Sequence, residues 1–229
     1  MKIGILQCGE TRGRVAKRHG TYSDMFQILL AGRGLTFRTF DVLNMEFPAT
    51  VHDCDGWLLT GSQFGAYEDQ PFLLRLGDFI RDAYAASVPI VGICFGHQMI
   101  AHALGGLVEK YDGGWAIGYQ TYQFDDLGEI SANAMHQDQV MRAPEDAQVI
   151  ASSSFCKNAA LVYGNKALTI QPHPEFSNEI IASYLEVFSG RPGYPDAVID
   201  GAKAQLKRPI GADRIADQIA EFFTQSSNG

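Results

Sequence analysis

The chain has 229 residues, and its 18 Lys and Arg residues against 26 Asp and Glu residues give a formal net charge of −8 at pH 7. A surface that follows nucleic-acid phosphates would have to form against this negative field, so we expect no nucleic-acid partner. No window approaches the ~18 apolar residues of a membrane span, and the N-terminal apolar cluster is shorter than the ~7 to 15 residues of a signal-peptide core. We therefore expect no membrane association and a cytoplasmic location.

The first part of the chain alternates strand patterns with helix patterns. Apolar runs and alternating patterns predict strands at residues 2–7, 35–42, 56–60 and 89–93. Apolar residues at helical spacing predict helices at residues 22–30 and 72–87. Strands that alternate with helices of ~10 to 15 residues favour right-handed crossovers and a mostly parallel sheet with helices on both faces. The fold class is therefore predicted to be α/β.

The pattern changes after residue 104. Short strand patterns with Gly and Asp turns predict a small antiparallel insertion, with strands at 107–111, 116–124, 130–135 and 149–153. Two further strands, 160–163 and 166–171, predict a hairpin in which Gly164 and Asn165 both supply a positive φ. Helices are predicted at 180–188 and 215–223. We expect one domain over residues 1–229, with a C-terminal helical extension at about 190–229 and frayed residues 226–229.

The most informative segment is residues 89–98, PIVGICFGHQ, in which a strand stops at Cys94 and a helix begins at once. Gly92 and Gly96 remove the side chains that would block a sharp strand-to-helix turn. Such a turn lifts the thiol out of the sheet, and the helix N-terminal N–H groups favour a thiolate and a developing oxyanion. A buried packing cysteine is the alternative, but this spacing favours a nucleophile.

The other three cysteines lack such surroundings. Cys8 is expected to be a core or rim thiol, and Cys54 and Cys156 are expected to be packing residues, because nothing near them in the sequence would activate them. The sequence contains no C-x-x-C pair and no His, Asp or Glu residues at the spacing of metal ligands. It therefore does not indicate a metal site. Because G-x-G-x-x-G and Gly-Lys-Ser/Thr motifs are also missing, we expect no nucleotide site.

A nucleophilic thiol needs a base, and residues 171–176, QPHPEF, supply a candidate at the end of a predicted strand. His173 and Glu175 are two residues apart, and the neighbouring Pro172 and Pro174 favour extended backbone before them. In extended backbone both side chains lie on one face, where the carboxylate can orient the imidazole. The three residue types together predict a Cys-His-Glu triad.

These residues resemble the class I glutamine amidotransferases, and most closely the stand-alone relatives of the GMP synthetase amidotransferase domain. Four segments carry the resemblance in the same order: Thr60-Gly61-Ser62, residues 92–98, Met135-His136-Gln137-Asp138, and residues 171–175. The resemblance implies a flavodoxin-like sheet. This sequence has Met-His-Gln at 135–137 where relatives often have Ser-His-Gly.

The resemblance also implies a role for each matched residue. Cys94 would be the nucleophile, His173 the acid and base, and Glu175 the partner that orients His173. The N–H groups of Gly61 and Phe95 would form the oxyanion hole, whereas Gln98, Ser62 and His136 would contact the substrate.

The predicted activity is hydrolysis of the glutamine side-chain amide through a γ-glutamyl thioester, without a cofactor. A γ-glutamyl peptidase acting on γ-glutamyl conjugates is the main alternative, because this chain carries no synthase domain to receive ammonia. If the protein is an amidotransferase, its partner would be a separate synthase subunit. A non-catalytic thiol sensor is an alternative of another class, although a sensor has no need of the His173 and Glu175 pair.

Overall fold

The computed structural model of this chain describes residues 1–226; residues 227–229, which belong to the segment predicted to fray, lie outside the described residues. The strands are β1 (Lys2–Gln7), β2 (Thr36–Asp41), β3 (Gly56–Leu59), β4 (Ile90–Ile93), β5 (Leu107–Lys110), β6 (Ala116–Phe124), β7 (Gly128–His136), β8 (Asp138–Arg142), β9 (Gln148–Ser152), β10 (Ala160–Tyr163) and β11 (Ala167–Ile170). The helices are α1 (Gly13–His19), α2 (Tyr22–Leu29), α3 (Pro71–Ala85), α4 (Phe95–Ala103), α5 (Asn178–Phe188), α6 (Asp196–Ala204) and α7 (Ala212–Ser226).

Within the described residues, nine strands form one mixed sheet in the order β2-β1-β3-β4-β11-β10-β9-β6-β7. The first five strands are parallel to their neighbours, and the remaining pairs are antiparallel. Strands β5 and β8 form a separate antiparallel pair. The mostly parallel sheet and the small antiparallel section confirm the predicted fold class.

Helices cover both faces of the parallel half of the sheet. On one face, α3 and α4 pack through buried apolar residues such as Leu76 and Met99. On the other face, α2 and α7 pack through Phe26 and Ile219. Apolar residues recur at helical spacing in α2, α3 and α7, so each of these presents one buried stripe, whereas residues 95–101 of α4 are buried on every side. This covered sheet provides the rigid platform on which the strand ends carry the site.

Three elements were not predicted from the sequence. Helix α1 buries only Val15, and α6 buries only Ile199 and Ala202, so neither shows a continuous apolar stripe. Strand β8 begins two residues after the end of β7, so in the sequence the two strands cannot be told apart as separate segments. The prediction of a positive φ at Asn165 was wrong, because in the β10–β11 hairpin only Gly164 adopts one.

No helix among residues 1–226 combines the length and the apolar character that crossing a bilayer requires.

Candidate active site

Cys94 lies at a sharp junction between β4 and α4. Its φ of 54° places a non-glycine residue in a region that costs of order 1–3 kcal/mol. A Cβ atom on Gly92 would lie 2.5 Å from the backbone of Gly96, and one on Gly96 would lie 2.5 Å from the carbonyl oxygen of Leu59. Only glycine fits at these two positions, so the sequence pattern and the strained cysteine belong to one turn. The turn directs the Cys94 side chain into a pocket at the carboxyl ends of the strands.

His173 and Glu175 form a buried pair beside this turn. Nδ1 of His173 lies 2.7 Å from Oε1 of Glu175, and the side chains are 3% and 0% exposed. The amide of His173 donates to the carbonyl oxygen of Asn133, which joins residue 173 to β7 as an isolated bridge. Residues 174 and 175 form a turn, so the prediction that extended backbone brings the two side chains together was wrong. The carboxylate reaches the imidazole across that turn.

The imidazole ring is held on its flat side as well as at its edge. The Phe176 ring stacks on His173 with centroids 4.0 Å apart and an interplanar angle of 3°. The Phe176 carbonyl oxygen accepts a hydrogen bond from Nδ2 of Asn133 at 2.8 Å. Ring stacking and the Glu175 contact together fix the orientation of the imidazole, so that Nε2 is the nitrogen left to hydrogen-bond with Cys94.

The protonation state of the His173 imidazole depends on its burial and on two neighbouring side chains, Cys94 and Glu175. Burial disfavours the imidazolium, but the charges of Cys94 and Glu175, and side-chain hydrogen bonds to both, raise the pKa of His173 to about 10. A cation beside a cysteine favours the thiolate, which is the nucleophilic form of that residue type. The three side chains that the sequence singled out therefore interact with one another.

Two backbone amides that the sequence singled out have no hydrogen-bond acceptor among the described residues, and of the two only Phe95 is a described lining residue of the pocket. Neither the Gly61 N–H nor the Phe95 N–H donates to any group of the described residues. Phe95 is the first residue of α4, where N–H groups carry the positive end of the helix dipole. Gly61 lies against the imidazole, because a Cβ atom there would be 2.8 Å from Cε1 of His173. The Gly96 amide donates to the Thr60 carbonyl oxygen and thereby joins the start of α4 to the end of β3.

The pocket around Cys94 has a volume of about 480 Å³. It is lined by Cys94, His173, Gln98, Ser62 and His136, together with Phe95. Glu175 is not among the described lining residues, which is consistent with its position behind the imidazole.

Gln98 and His136 are both fixed by the same backbone carbonyl. Nε2 of Gln98 donates to the Asp138 carbonyl oxygen at 2.8 Å and to Oε1 of Gln171 at 3.0 Å. Nδ1 of His136 lies 3.1 Å from the Asp138 carbonyl oxygen, which can only accept, so Nδ1 carries the proton. Burial lowers the pKa of His136 to about 4. Gln98 therefore keeps only its acceptor oxygen for a ligand, and Nε2 of His136 is a buried acceptor without a hydrogen-bond partner among the described residues.

The remaining cysteines and the histidine beside Cys94 are packed into the interior. Burial raises the pKa of Cys156 to about 12, and it raises the pKa of Cys8 and Cys54 as well. Burial lowers the pKa of His97 to about 3, and its Nδ1 contacts the Thr169 hydroxyl at 2.8 Å. None of these four residues lines the described pocket around Cys94. Across residues 1–226, no cluster of His, Cys, Asp and Glu side chains is suited to hold a metal ion.

Sequence reasoning missed the aromatic side of the pocket. Trp115, Phe188 and Tyr194 line it, although they lie far apart in the sequence and no motif connects them. The one signal in the sequence was the spacing of Tyr184 and Phe188 on α5, which places both rings on the same face of that helix.

Comparison with known proteins gives one family. Residues 38–188 match the family profile described as glutamine amidotransferase class-I. A glutamine amidotransferase-like protein of Schizosaccharomyces pombe is 27% identical over 97% of this chain and 98% of its own length. Gamma-glutamyl peptidase 4 of Arabidopsis thaliana is 31% identical over 74% of either chain. A glutamine-hydrolyzing GMP synthase subunit of Archaeoglobus fulgidus is 30% identical over 76% of this chain and 96% of its own.

A solved structure has the same fold. The crystal structure of a glutamine amido transferase from Methylobacillus flagellatus superposes with a TM-score of 0.75 at 22% identity, covering 98% of this chain and 94% of that one. The similarity extends over nearly the full length of both chains, so the flavodoxin-like sheet implied by the motifs is confirmed.

Proposed function

This chain belongs to the class I glutamine amidotransferase family, and from that premise we propose that it hydrolyses the side-chain amide of glutamine or a closely similar γ-glutamyl bond. The observation that carries the proposal is the arrangement at the end of β4: a strained Cys94 faces a pocket that His173 also lines, and Glu175 orients His173 from behind. These positions support the roles of nucleophile for Cys94, acid and base for His173, and positioning residue for Glu175.

The reaction would begin with attack by the Cys94 thiolate on the γ-carbonyl carbon. The negative charge that develops on the carbonyl oxygen would be bound by the N–H groups of Gly61 and Phe95, which have no other acceptor among the described residues. The His173 imidazolium would then protonate the leaving nitrogen as the carbon–nitrogen bond breaks. The products of this half are ammonia, or a free amine, and a γ-glutamyl thioester on Cys94.

The second half would release glutamate. His173, now neutral, removes a proton from water, and the resulting hydroxide attacks the thioester carbonyl. The carbon–sulfur bond breaks, and the thiolate–imidazolium pair re-forms when His173 keeps that proton. The acceptor atoms of Gln98 and His136 are suited to an ammonium group, so we propose that they bind the α-amino end of the substrate, and that Ser62 lies at the pocket edge.

A γ-glutamyl peptidase is the second candidate. Similarity to gamma-glutamyl peptidase 4 favours it, and so does a pocket of about 480 Å³, which is in the range of ~300–1,000 Å³ that holds ligands larger than a free amino acid. The chemistry at Cys94 would be unchanged, and only the leaving group would differ.

Similarity to the GMP synthase subunit of Archaeoglobus fulgidus supports a different context, in which a separate synthase protein receives the ammonia. An amidotransferase of that kind would be slow alone and would accelerate when its partner docks.

A cytoplasmic location and the absence of a cofactor remain predictions. A thiol sensor would not require the buried His173 and Glu175 pair, so it is the weakest of the three accounts.

Steady-state glutamate release distinguishes these accounts. The isolated chain is given glutamine and a panel of γ-glutamyl dipeptides, with a protein-free reaction as the blank. Cys94→Ala removes the proposed nucleophile, and Cys156→Ala is the matched control for loss of a buried thiol. We expect unaided turnover of at least one substrate, lost in Cys94→Ala and kept in Cys156→Ala. No turnover by a folded protein whose Cys94 still alkylates would reject the autonomous hydrolase and favour the partner-dependent amidotransferase.

A further inference from the structure

One side of the pocket is aromatic, and its rings are packed against one another. Trp115, Phe188 and Tyr194, hereafter the aromatic wall, all line the cavity that contains Cys94. The centroids of Phe188 and Tyr194 are 4.2 Å apart with an interplanar angle of 17°, and those of Trp115 and Tyr194 are 4.8 Å apart. All three side chains are partly buried, pack against the apolar cluster that contains Phe176 and Tyr184, and keep part of their surface on the cavity.

The aromatic wall is continuous with the support of His173. Tyr184 stacks on Phe188 with centroids 5.9 Å apart, and it also packs on Phe176 at 5.1 Å. Phe176 is the ring that stacks on the His173 imidazole. Phe176 and Tyr184 therefore connect the proposed acid and base, His173, to the aromatic wall. The leaving group of a substrate whose scissile bond lies at Cys94 would extend towards that wall.

A cationic side chain lies at the same end of the pocket. Arg191 lines the cavity, and its carbonyl oxygen accepts a hydrogen bond from the Tyr194 amide in one turn. Burial raises the pKa of Tyr194, and the nearby charge of Arg191 opposes that rise. Within residues 1–226 Arg191 makes no ion pair with a carboxylate. The guanidinium is free to bind an anionic group next to the aromatic wall.

Part of this surface is outside the family match, which ends at Phe188. Arg191 and Tyr194 belong to the segment between α5 and α6, so they are not part of the machinery that residues 38–188 share with the family. A surface in this position is suited to select the leaving group of the substrate. It does not determine which bond is hydrolysed.

We propose that the preferred substrate is a γ-glutamyl dipeptide whose second residue is aromatic, with its ring on the aromatic wall and its free carboxylate on Arg191. This inference rests on the proposed function. Glutamine, whose leaving group is ammonia, contacts neither feature. Burying one apolar side chain is worth roughly 10-fold to 100-fold in kcat/KM, which is the preference we expect for γ-glutamylphenylalanine over γ-glutamylglycine.

The test compares kcat/KM for γ-glutamylphenylalanine, γ-glutamylglycine and glutamine. The variants are Trp115→Ala, Tyr194→Ala and, as a matched control, Tyr84→Ala, which removes a partly buried ring that packs on Tyr163 and does not line the described pocket. The ratio for the phenylalanine and glycine dipeptides should fall towards one in the two wall variants and stay at the wild-type value in Tyr84→Ala. Equal kcat/KM for both dipeptides in the wild type would overturn the inference while leaving the proposed hydrolysis intact.

The role of Arg191 is tested with the C-terminal amide of γ-glutamylphenylalanine. The wild type should prefer the free carboxylate, Arg191→Gln should remove that preference, and Arg191→Lys should restore part of it. An equal rate for acid and amide in the wild type would remove Arg191 from the account.

A binding measurement separates this inference from the proposed function. Calorimetry of γ-glutamylphenylalanine with Cys94→Ala, and with Cys94→Ala combined with Tyr194→Ala, requires no turnover. Tighter binding in the first protein, by the same 10-fold or more, supports the aromatic wall even if hydrolysis fails. Equal binding in both would overturn the wall as a subsite.

Discussion

The carboxyl ends of β1 and β4 both carry a cysteine, yet the two thiols have different surroundings. The Cys8 amide donates to the Thr60 hydroxyl at 2.9 Å, its Sγ donates to the Leu6 carbonyl oxygen at 3.2 Å, and burial raises its pKa. Cys94 has a φ of 54°, starts α4, lines the pocket and interacts with His173. Residue type and strand position alone therefore do not distinguish Cys94, the proposed nucleophile, from Cys8.

The difference lies in the backbone immediately after each cysteine. After Cys8 the chain continues as a loop, and α1 begins only at Gly13. After Cys94 the helix begins at the next residue, because Gly92 and Gly96 allow the backbones to approach. The tight turn supplies both exposure to the pocket and the nearby amides, whereas Cys8 packs into the core.

The largest expected effect is loss of activity on replacing Cys94. Cys94→Ala should reduce glutamate release to the blank, because no other thiol lines the described pocket. Cys8→Ala should keep most of the activity. Release is measured at saturating substrate, with circular dichroism to confirm folding. Near wild-type activity in Cys94→Ala would mean that Cys94, at the end of β4, is not the nucleophile.

The next effect concerns the base beside Cys94. His173→Ala should reduce kcat by roughly 100-fold to 10,000-fold, the usual value of general acid–base catalysis. Glu175→Gln should cost less, because Glu175 contacts the imidazole and is not a described lining residue of the pocket. Single-turnover rates of both variants test this order. An intact rate in His173→Ala would indicate another base, with His136 as the candidate in the pocket.

The tight turn itself can be tested through stability. Gly92→Ala places a Cβ atom 2.5 Å from the Gly96 backbone, so it should lower the free energy of unfolding by about 1–3 kcal/mol, as overpacking does. Gly201→Ala is the matched control, because a Cβ atom there, within α6, meets nothing within 4 Å. That substitution should raise stability by up to about 1 kcal/mol. Urea unfolding measures both; equal changes would contradict the close approach at the turn.

Histidine titration gives the smallest and most specific effect. The imidazolium of His173 should persist through neutral pH and lose its proton near pH 10, whereas His136 should stay neutral down to about pH 4. In the unfolded chain His136 binds a proton more readily, because its pKa there is about 6.5. The buried neutral His136 therefore contributes to the free energy of unfolding above that pH, and this contribution is lost as the pH falls towards 4. Nitrogen-15 NMR of the imidazoles measures both. In Cys94→Ala the pKa of His173 should fall; an unchanged value would contradict the proposed pairing with Cys94.

Local patterns in the sequence predicted the parallel core of the fold. Strands β1 and β6 have the predicted bounds, because strong apolar patterns end at clear turns. Helix α6 could not be predicted, since it buries two residues and lies among exposed ones. The wrong prediction at Asn165 shows that a two-residue turn does not require a positive φ at both positions when the following lysine amide bonds back to Tyr163.

For the site, sequence reasoning identified the residues that share a motif and missed those brought together by packing. Cys94, with its two glycines, and the His173 and Glu175 pair each lie within one short segment. The aromatic wall joins the loop before β6, the end of α5 and the segment before α6, so only the folded chain places its rings together.

The central claim is that Cys94 carries the γ-glutamyl group during turnover. Acid quenching of the wild type while it turns over a γ-glutamyl substrate, followed by peptide mass analysis, should show one γ-glutamyl group on the peptide that contains Cys94. Cys8→Ala should give the same adduct, and Cys94→Ala should give none. A γ-glutamyl adduct on the Cys8 peptide, or continued turnover by Cys94→Ala without any adduct, would contradict the account.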